Sequence, residues 1–166
     1  MRTAKVCSTR PPAVARSEKE LFDGYEGDPR VYLERTFEEV GGYDHLVALK
    51  DIRFVGFCEH HMLPVVGVVH VGYLPTDRLV GIARLARVVR DYAKPLQIQE
   101  KMTAEIATAI EKVLHPAGVG VVIEAGHSCM TLRGTNSPGA KLTTASLRGV
   151  VRDDPRTREE FLRLTR

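Results

Sequence analysis

The stretch from Val65 to Leu74 constrains the fold more than any other part of the chain. It is rich in valine and stops at Pro75, and β-branched side chains at this density fit the pleated surface of a sheet better than a helix. It is also far short of the roughly 20 apolar residues that a membrane-spanning helix needs. Gly67 and Gly72 inside it predict local weakening, a bulge or a close backbone approach. Similar runs precede it at Leu46–Leu49 and Ile52–Phe57, and Val119–Ile123 follows. A further strand pair is expected at Met130–Leu132 and Leu142–Leu147, with Gly134 to Gly139 as the loop.

Between these runs the period changes. Ile82, Leu85, Val89 and Tyr92 recur at helical spacing up to Lys94-Pro95. Ile98, Met102, Ile106, Ile110 and Val113 keep an i, i+4 stripe until Pro116 and Gly118 close it. Upstream, residues 1 to about 12 read as frayed, and Pro11-Pro12 and Gly24 bracket a helix from Ala13 to Phe22. Asp28-Pro29 starts a second short helix, with Val31, Leu33 and Phe37 on its apolar side and Gly41-Gly42 as its end. A charged helix, Arg156–Leu164, finishes the chain. Helices, a strand pair, two helices and another strand pair predict an α+β fold with an antiparallel sheet.

Composition excludes several classes. At 166 residues, 43% apolar and 27% charged, the chain suits one globular domain that needs no disulfide staples. A net charge of +3 is too mild to indicate nucleic acid by itself, yet it suits an anionic small molecule if the cations cluster. Cys7, Cys58 and Cys129 are a poor disulfide framework and read as thiols in a reducing compartment. With no apolar leader after Met1 and no membrane span, the expected location is cytoplasmic.

Two clusters carry chemistry. Cys58-Glu59-His60-His61 follows one apolar run, and His127-Ser128-Cys129 follows another. Cys58 and His61 have the separation of two zinc ligands on one tight turn, and Cys129 can supply a third. Two cysteines, one histidine and an open position for water form a catalytic set, which leaves His60 and His127 as acid and base near neutral pH. A four-ligand structural zinc closed by His127 is the competing arrangement. Cys7, His45, His70 and His115 read as ordinary core or surface residues. Arg84 and Arg87 lie one helical turn apart and, with Arg133, can clamp an anion, although a solvated helix face explains the same pattern. Gln99-Glu100, at the start of the second long helix, can read a donor-rich heterocycle.

Phe57-Cys58-Glu59-His60-His61-Met62-Leu63-Pro64 and His70-Val71-Gly72-Tyr73-Leu74-Pro75 closely resemble the signature of the GTP cyclohydrolase I family. So do Gln97-Ile98-Gln99-Glu100-Lys101-Met102-Thr103 and Glu124-Ala125-Gly126-His127-Ser128-Cys129-Met130, with Arg133-Gly134 after them. The likeness runs in order from about Thr9 to the last helix.

The resemblance implies a tunnelling fold, a four-stranded antiparallel sheet with two helices packed on one side. It implies an N-terminal helical segment over 1–45 and a catalytic domain over 46–166. It also implies a homo-oligomer, a decamer in the family, with sites at subunit boundaries. The implied reaction opens the guanine imidazole ring of GTP to give 7,8-dihydroneopterin triphosphate and formate. Cys58, His61 and Cys129 would hold Zn2+, which activates water. His127 would protonate N7, His60 would assist, Glu100 would pin the guanine edge with the catalytic Gln99 close by, and Arg84, Arg87 and Arg133 would hold the triphosphate. Arg84, Ala83, Gly56 and Lys101 depart from the usual lysine, serine, serine and arginine of the family. Two further readings are a diverged relative acting on another purine nucleotide and a non-catalytic zinc-binding module. No nucleic acid or membrane partner is indicated.

Overall fold

A computed structural model describes residues 10–38 and 41–166. Cys7 and most of the expected frayed start lie outside them. In chain order the elements are α1 (Arg10–Leu21), β1 (Thr36–Phe37), β2 (Val47–Cys58), β3 (Pro64–Leu74), β4 (Leu79–Val80) and α2 (Ile82–Ala93). Then come β5 (Leu96–Gln97), α3 (Gln99–Leu114), β6 (Gly118–His127), α4 (Ser128–Thr131), β7 (Leu142–Gly149), α5 (Val150–Asp153) and α6 (Pro155–Leu164). Two 3-10 turns, Asp23–Tyr25 and Pro29–Tyr32, bridge α1 and β1.

The main sheet has the order β5-β2-β3-β6-β7. Its four long strands are all antiparallel, and β5 adds two residues in parallel along the edge of β2. Period two sorts the side chains. Phe54 and Cys58 of β2, Val65, Val69, Val71 and Tyr73 of β3, and Val119, Val121, Ile123 and Ala125 of β6 are buried. They meet Leu85, Val88 and Val89 of α2 and Met102, Ile106 and Ile110 of α3 in one core. Each such side chain stabilises the fold by about 1.5–3 kcal/mol, which makes this layer the main source of stability. The expected antiparallel sheet under two helices is therefore present.

Several elements differ from expectation. Leu46–Leu49 and Ile52–Phe57 are one strand, interrupted by a register shift where Asp51 takes φ 59°. The bulge thus falls in β2, whereas β3 pairs continuously with β6 from Val65 to Leu74 despite its glycines. Gly72 faces Gly120 across the ladder, and Phe161 of α6 packs onto both. Met130–Leu132 is no strand: α4 occupies Ser128–Thr131, and β7 pairs with β6 instead. Three apolar residues are too few for their spacing to decide between helix and strand. The expected helix through Val31 and Phe37 is a 3-10 turn followed by a short strand, because Leu33 turns inward to full burial in the main core.

Candidate active site

The end of β2 places the first candidate ligand. The alternation that buries Phe54 also turns Cys58 toward the helices, where it is 8% exposed. A tight loop follows: the Met62 amide donates to the Cys58 carbonyl at 2.8 Å, and the Cys58 amide donates to the Leu63 carbonyl at 2.9 Å. Met62 closes the loop in the left-handed region, at φ 52°. The Glu59 amide donates to the Gln97 carbonyl at 3.0 Å and ties the loop to β5. This turn sets His61 Nδ1 3.9 Å from Cys58 Sγ.

The second cluster arrives from β6, whose last residue, His127, lies opposite Val65 of β3. The short helix α4 then brings Cys129 back over the sheet end. Ligand atoms of Cys58, His61 and Cys129 all lie within 4.8 Å of one another. Zinc bond lengths near 2.0–2.3 Å give a tetrahedron with edges of roughly 3.3–3.8 Å, so slight closure around an ion meets the requirement. Among the described residues this is the one such group, and His127 is not part of it. Cys58 is buried, Cys129 half-buried and His61 exposed, which leaves one side of the group open. Burial, and then the nearby Cys58, push the Cys129 thiol up, while Arg133 pulls it the other way. A cation between the two sulfurs removes that conflict by favouring thiolates.

His127 stands behind this group. Burial lowers its basicity, opposed in part by the nearby Glu100 carboxylate. Its Nε2 lies 2.8 Å from Gln99 Oε1. The two protons of the Gln99 amide nitrogen are shared among three acceptors, the Leu142 carbonyl at 3.0 Å, Thr144 Oγ1 at 3.1 Å and the Ile123 carbonyl at 3.2 Å. Thr103 and Thr144 complete this polar cluster, and sequence reasoning missed both. The available signal was Thr103, a polar residue one helical turn after Gln99 on the apolar stripe of α3. His60 is exposed, its ring 6.2 Å from that of His61.

The structure thus gathers Cys58, His61, Cys129, His127 and Gln99 directly, with Glu100 and Arg133 close enough to act electrostatically on the group. It does not gather Arg84 and Arg87. The end of α2 nearest the metal group is Ala93, whose carbonyl oxygen would lie 2.7 Å from a Cβ at Gly56. Arg84 is nine residues earlier, about 14 Å along the helix axis, and Arg87 about 9 Å. Arg84 instead reaches the Tyr32 carbonyl at 3.5 Å, and Arg87 lies over the Tyr32 ring. The remaining histidines have ordinary roles. His70 Nδ1 accepts the Asp51 amide at the bulge at 3.2 Å, and His115 ends α3 in the left-handed region.

A four-stranded antiparallel sheet backed by two helices, with a Cys-His-Cys group at one end of the sheet, defines a tunnelling-fold protein with a candidate metal centre. A crystal structure of the archaeosine synthase QueF-Like in the apo form is similar over 64% of this chain and 96% of its own, with TM-score 0.54 and 18% identity. That likeness concerns the fold alone. The family model described as GTP cyclohydrolase I matches residues 3–166. A curated relative named GTP cyclohydrolase 1, from Brucella anthropi, is 46% identical over 156 residues, covering 94% of this chain and 73% of the relative. The chain belongs to the GTP cyclohydrolase I family.

Proposed function

We propose that the protein is a zinc-dependent GTP cyclohydrolase I, hydrolysing the guanine imidazole ring of GTP to 7,8-dihydroneopterin triphosphate and formate. The observation that carries this reading is the convergence of Cys58, His61 and Cys129 within 4.8 Å, beside a His127 that stays outside the ligand group. Three ligands with one open side suit a catalytic zinc, whereas a structural site would take a fourth protein ligand. Zinc, when bound there, supplies Lewis-acid activation of water.

The chain's own residues supply the rest. His127, whose basicity burial lowers against the pull of Glu100, exchanges a proton with N7 of the guanine as the ring opens. His60 lies at the exposed side of the same turn and assists proton transfer. Glu100 accepts paired N–H bonds from the guanine edge, with Gln99 beside it, and Arg133 meets the triphosphate near the metal. A reducing compartment, the cytoplasm, suits two neighbouring thiols that have to stay reduced to bind metal.

Arg84 and Arg87 point to a site shared between subunits. At about 14 and 9 Å along α2 from the sheet end that carries the metal group, they suit the triphosphate of a nucleotide on a neighbouring protomer of a homo-oligomer, a decamer in this reading. In this reading the catalytic unit is 46–166, and the segment before it, whose described residues form α1, two 3-10 turns and β1, packs on that unit through the buried Leu33.

Purified protein supplied with zinc and GTP should release formate and give a product with the mass of dihydroneopterin triphosphate. Absence of formate sinks the reading. Formate with a different product mass indicates a route that stops after ring opening. Mixing Cys129→Ala with Arg87→Ala subunits should restore part of the activity if sites are shared, and none if each site is confined to one chain.

A further inference from the structure

The proton in each hydrogen bond behind His127 can be assigned from chemistry. Thr103 Oγ1 lies 2.7 Å from the Gln99 carbonyl oxygen, which can only accept, so the Thr103 hydroxyl donates there. That spends its single proton. The 2.7 Å contact between Thr103 and Thr144 is therefore a donation from Thr144. Thr144 has then no proton left for Gln99, and its 3.1 Å contact needs the Gln99 amide nitrogen as donor. The carbonyls of Leu142 and Ile123, at 3.0 and 3.2 Å, demand the same orientation, and the two amide protons are shared among these three acceptors. Turning the amide over would set oxygen against oxygen at both. With the nitrogen fixed on that side, Oε1 faces His127 Nε2 at 2.8 Å. An amide oxygen only accepts, so Nε2 carries a proton. Gln99 is 4% exposed and Thr103 2%, so bulk water does not compete for these bonds.

We propose that Gln99 is a positioning residue that holds His127 in its Nε2-protonated tautomer, with Thr144 and Thr103 fixing Gln99 in turn. Nδ1 is then the nitrogen that exchanges the proton with substrate. The Nε2-protonated tautomer first takes a solvent proton at Nδ1; in the ring-opening step that Nδ1–H bond breaks, the N7–H bond forms, and the imidazole returns to neutral with its other proton still on Nε2. The chain of donors runs one way, from His127 through Gln99 and Thr144 to Thr103 and back to the Gln99 carbonyl, and each bond polarises the next. This gives Gln99 a role directed at His127, distinct from reading the guanine. It rests on His127 as the proton-transfer group of the proposed reaction.

The direct measurement is nitrogen NMR on the zinc-loaded protein with labelled histidine, the His127 signals being assigned by their absence in His127→Ala. Neutral His127 should show a protonated Nε2 and a bare Nδ1. A protonated Nδ1 with a bare Nε2 overturns the inference. That result combined with normal turnover of GTP leaves the enzymatic reading standing, whereas the expected tautomer without turnover sinks only the enzymatic reading.

Gln99→Met keeps the volume and removes the acceptor. Its kcat should fall about 10- to 100-fold with zinc content retained, and the His127 tautomers should become mixed. A rise confined to KM, with the tautomer unchanged, would show that Gln99 reads substrate and would overturn its positioning role. Thr144→Val should have a smaller effect in the same direction, since the two carbonyls still hold the amide, and Thr144→Ser should restore the wild-type spectrum.

Discussion

Strands β3 and β6 run the length of the sheet and meet two different environments at their ends. At one end Gly72 and Gly120 face each other, and the Phe161 ring lies on the bare backbone between them. Leu46 and Val151 close that corner. At the other end Val65 pairs with His127, and the neighbouring groups are two thiols, imidazoles and an amide wired by directional bonds. The same pair of strands therefore ends in excluded volume on one side and in chemistry on the other. Apolar packing tolerates no gap but accepts any chemistry that fills the space. The polar end tolerates a partly exposed site but only one arrangement of donors, acceptors and metal ligands.

Replacing a ligand should break the comparison hardest. Cys129→Ala should drop zinc content toward zero by metal analysis and remove turnover, while circular dichroism retains the helices and sheet. His127→Ala should come next, lowering kcat by about 10²- to 10⁴-fold at unchanged zinc content, because it removes a proton-transfer group and no ligand. A loss of zinc in that variant would make His127 a fourth ligand and turn the site into a structural one.

At the apolar end the outcome should invert. Phe161→Ala should cost about 3–5 kcal/mol of stability, read as a lower urea midpoint, with zinc content unaffected in the folded protein. Gly120→Ala probes the same contact from the other side. Its Cβ would lie 2.6 Å from Phe161 Cε1, so the ring has to shift and the thermal midpoint should fall by less than for Phe161→Ala.

The smallest effect belongs to a surface pair that flanks the polar end, next in the chain to the Ile123 and Leu142 carbonyls that accept from Gln99. Lys141 Nζ lies 2.7 Å from Glu124 Oε1 and holds that carboxyl below its usual range. A depressed folded pKa contributes stability above the unfolded value and loses it as pH falls through the folded one. Lys141→Met should therefore weaken the dependence of stability on pH below about 4.5, and leave the neutral thermal midpoint nearly unchanged.

The strongly periodic segments were legible before any coordinates. The valine-rich run of β3 and the stripes of α2 and α3 appear where their spacing puts them, since burial of one face is a local property of the sequence. Short segments were not. Met130–Leu132 and Val31–Phe37 carry too few apolar residues to fix a period, and their shape follows from what they pack beside. The candidate metal group was readable because Cys58 and His61 sit on one turn, and because the apolar runs ending at both clusters imply neighbouring strand ends. Thr103 and Thr144 were not, since their meaning depends on a contact across 41 positions of chain.

By itself the sequence determined the layer architecture, the family likeness and the identity of the groups able to bind metal or move protons. These rest on periodicity and side-chain chemistry, which need no partner to be recognised. Only the tertiary structure decided that His127 stands outside the ligand group, that Gln99 faces it with an oxygen, and that Arg84 and Arg87 lie well along α2 from the metal end. Those are matters of distance and bond direction between residues far apart in the chain, which exist only once the strands are in register.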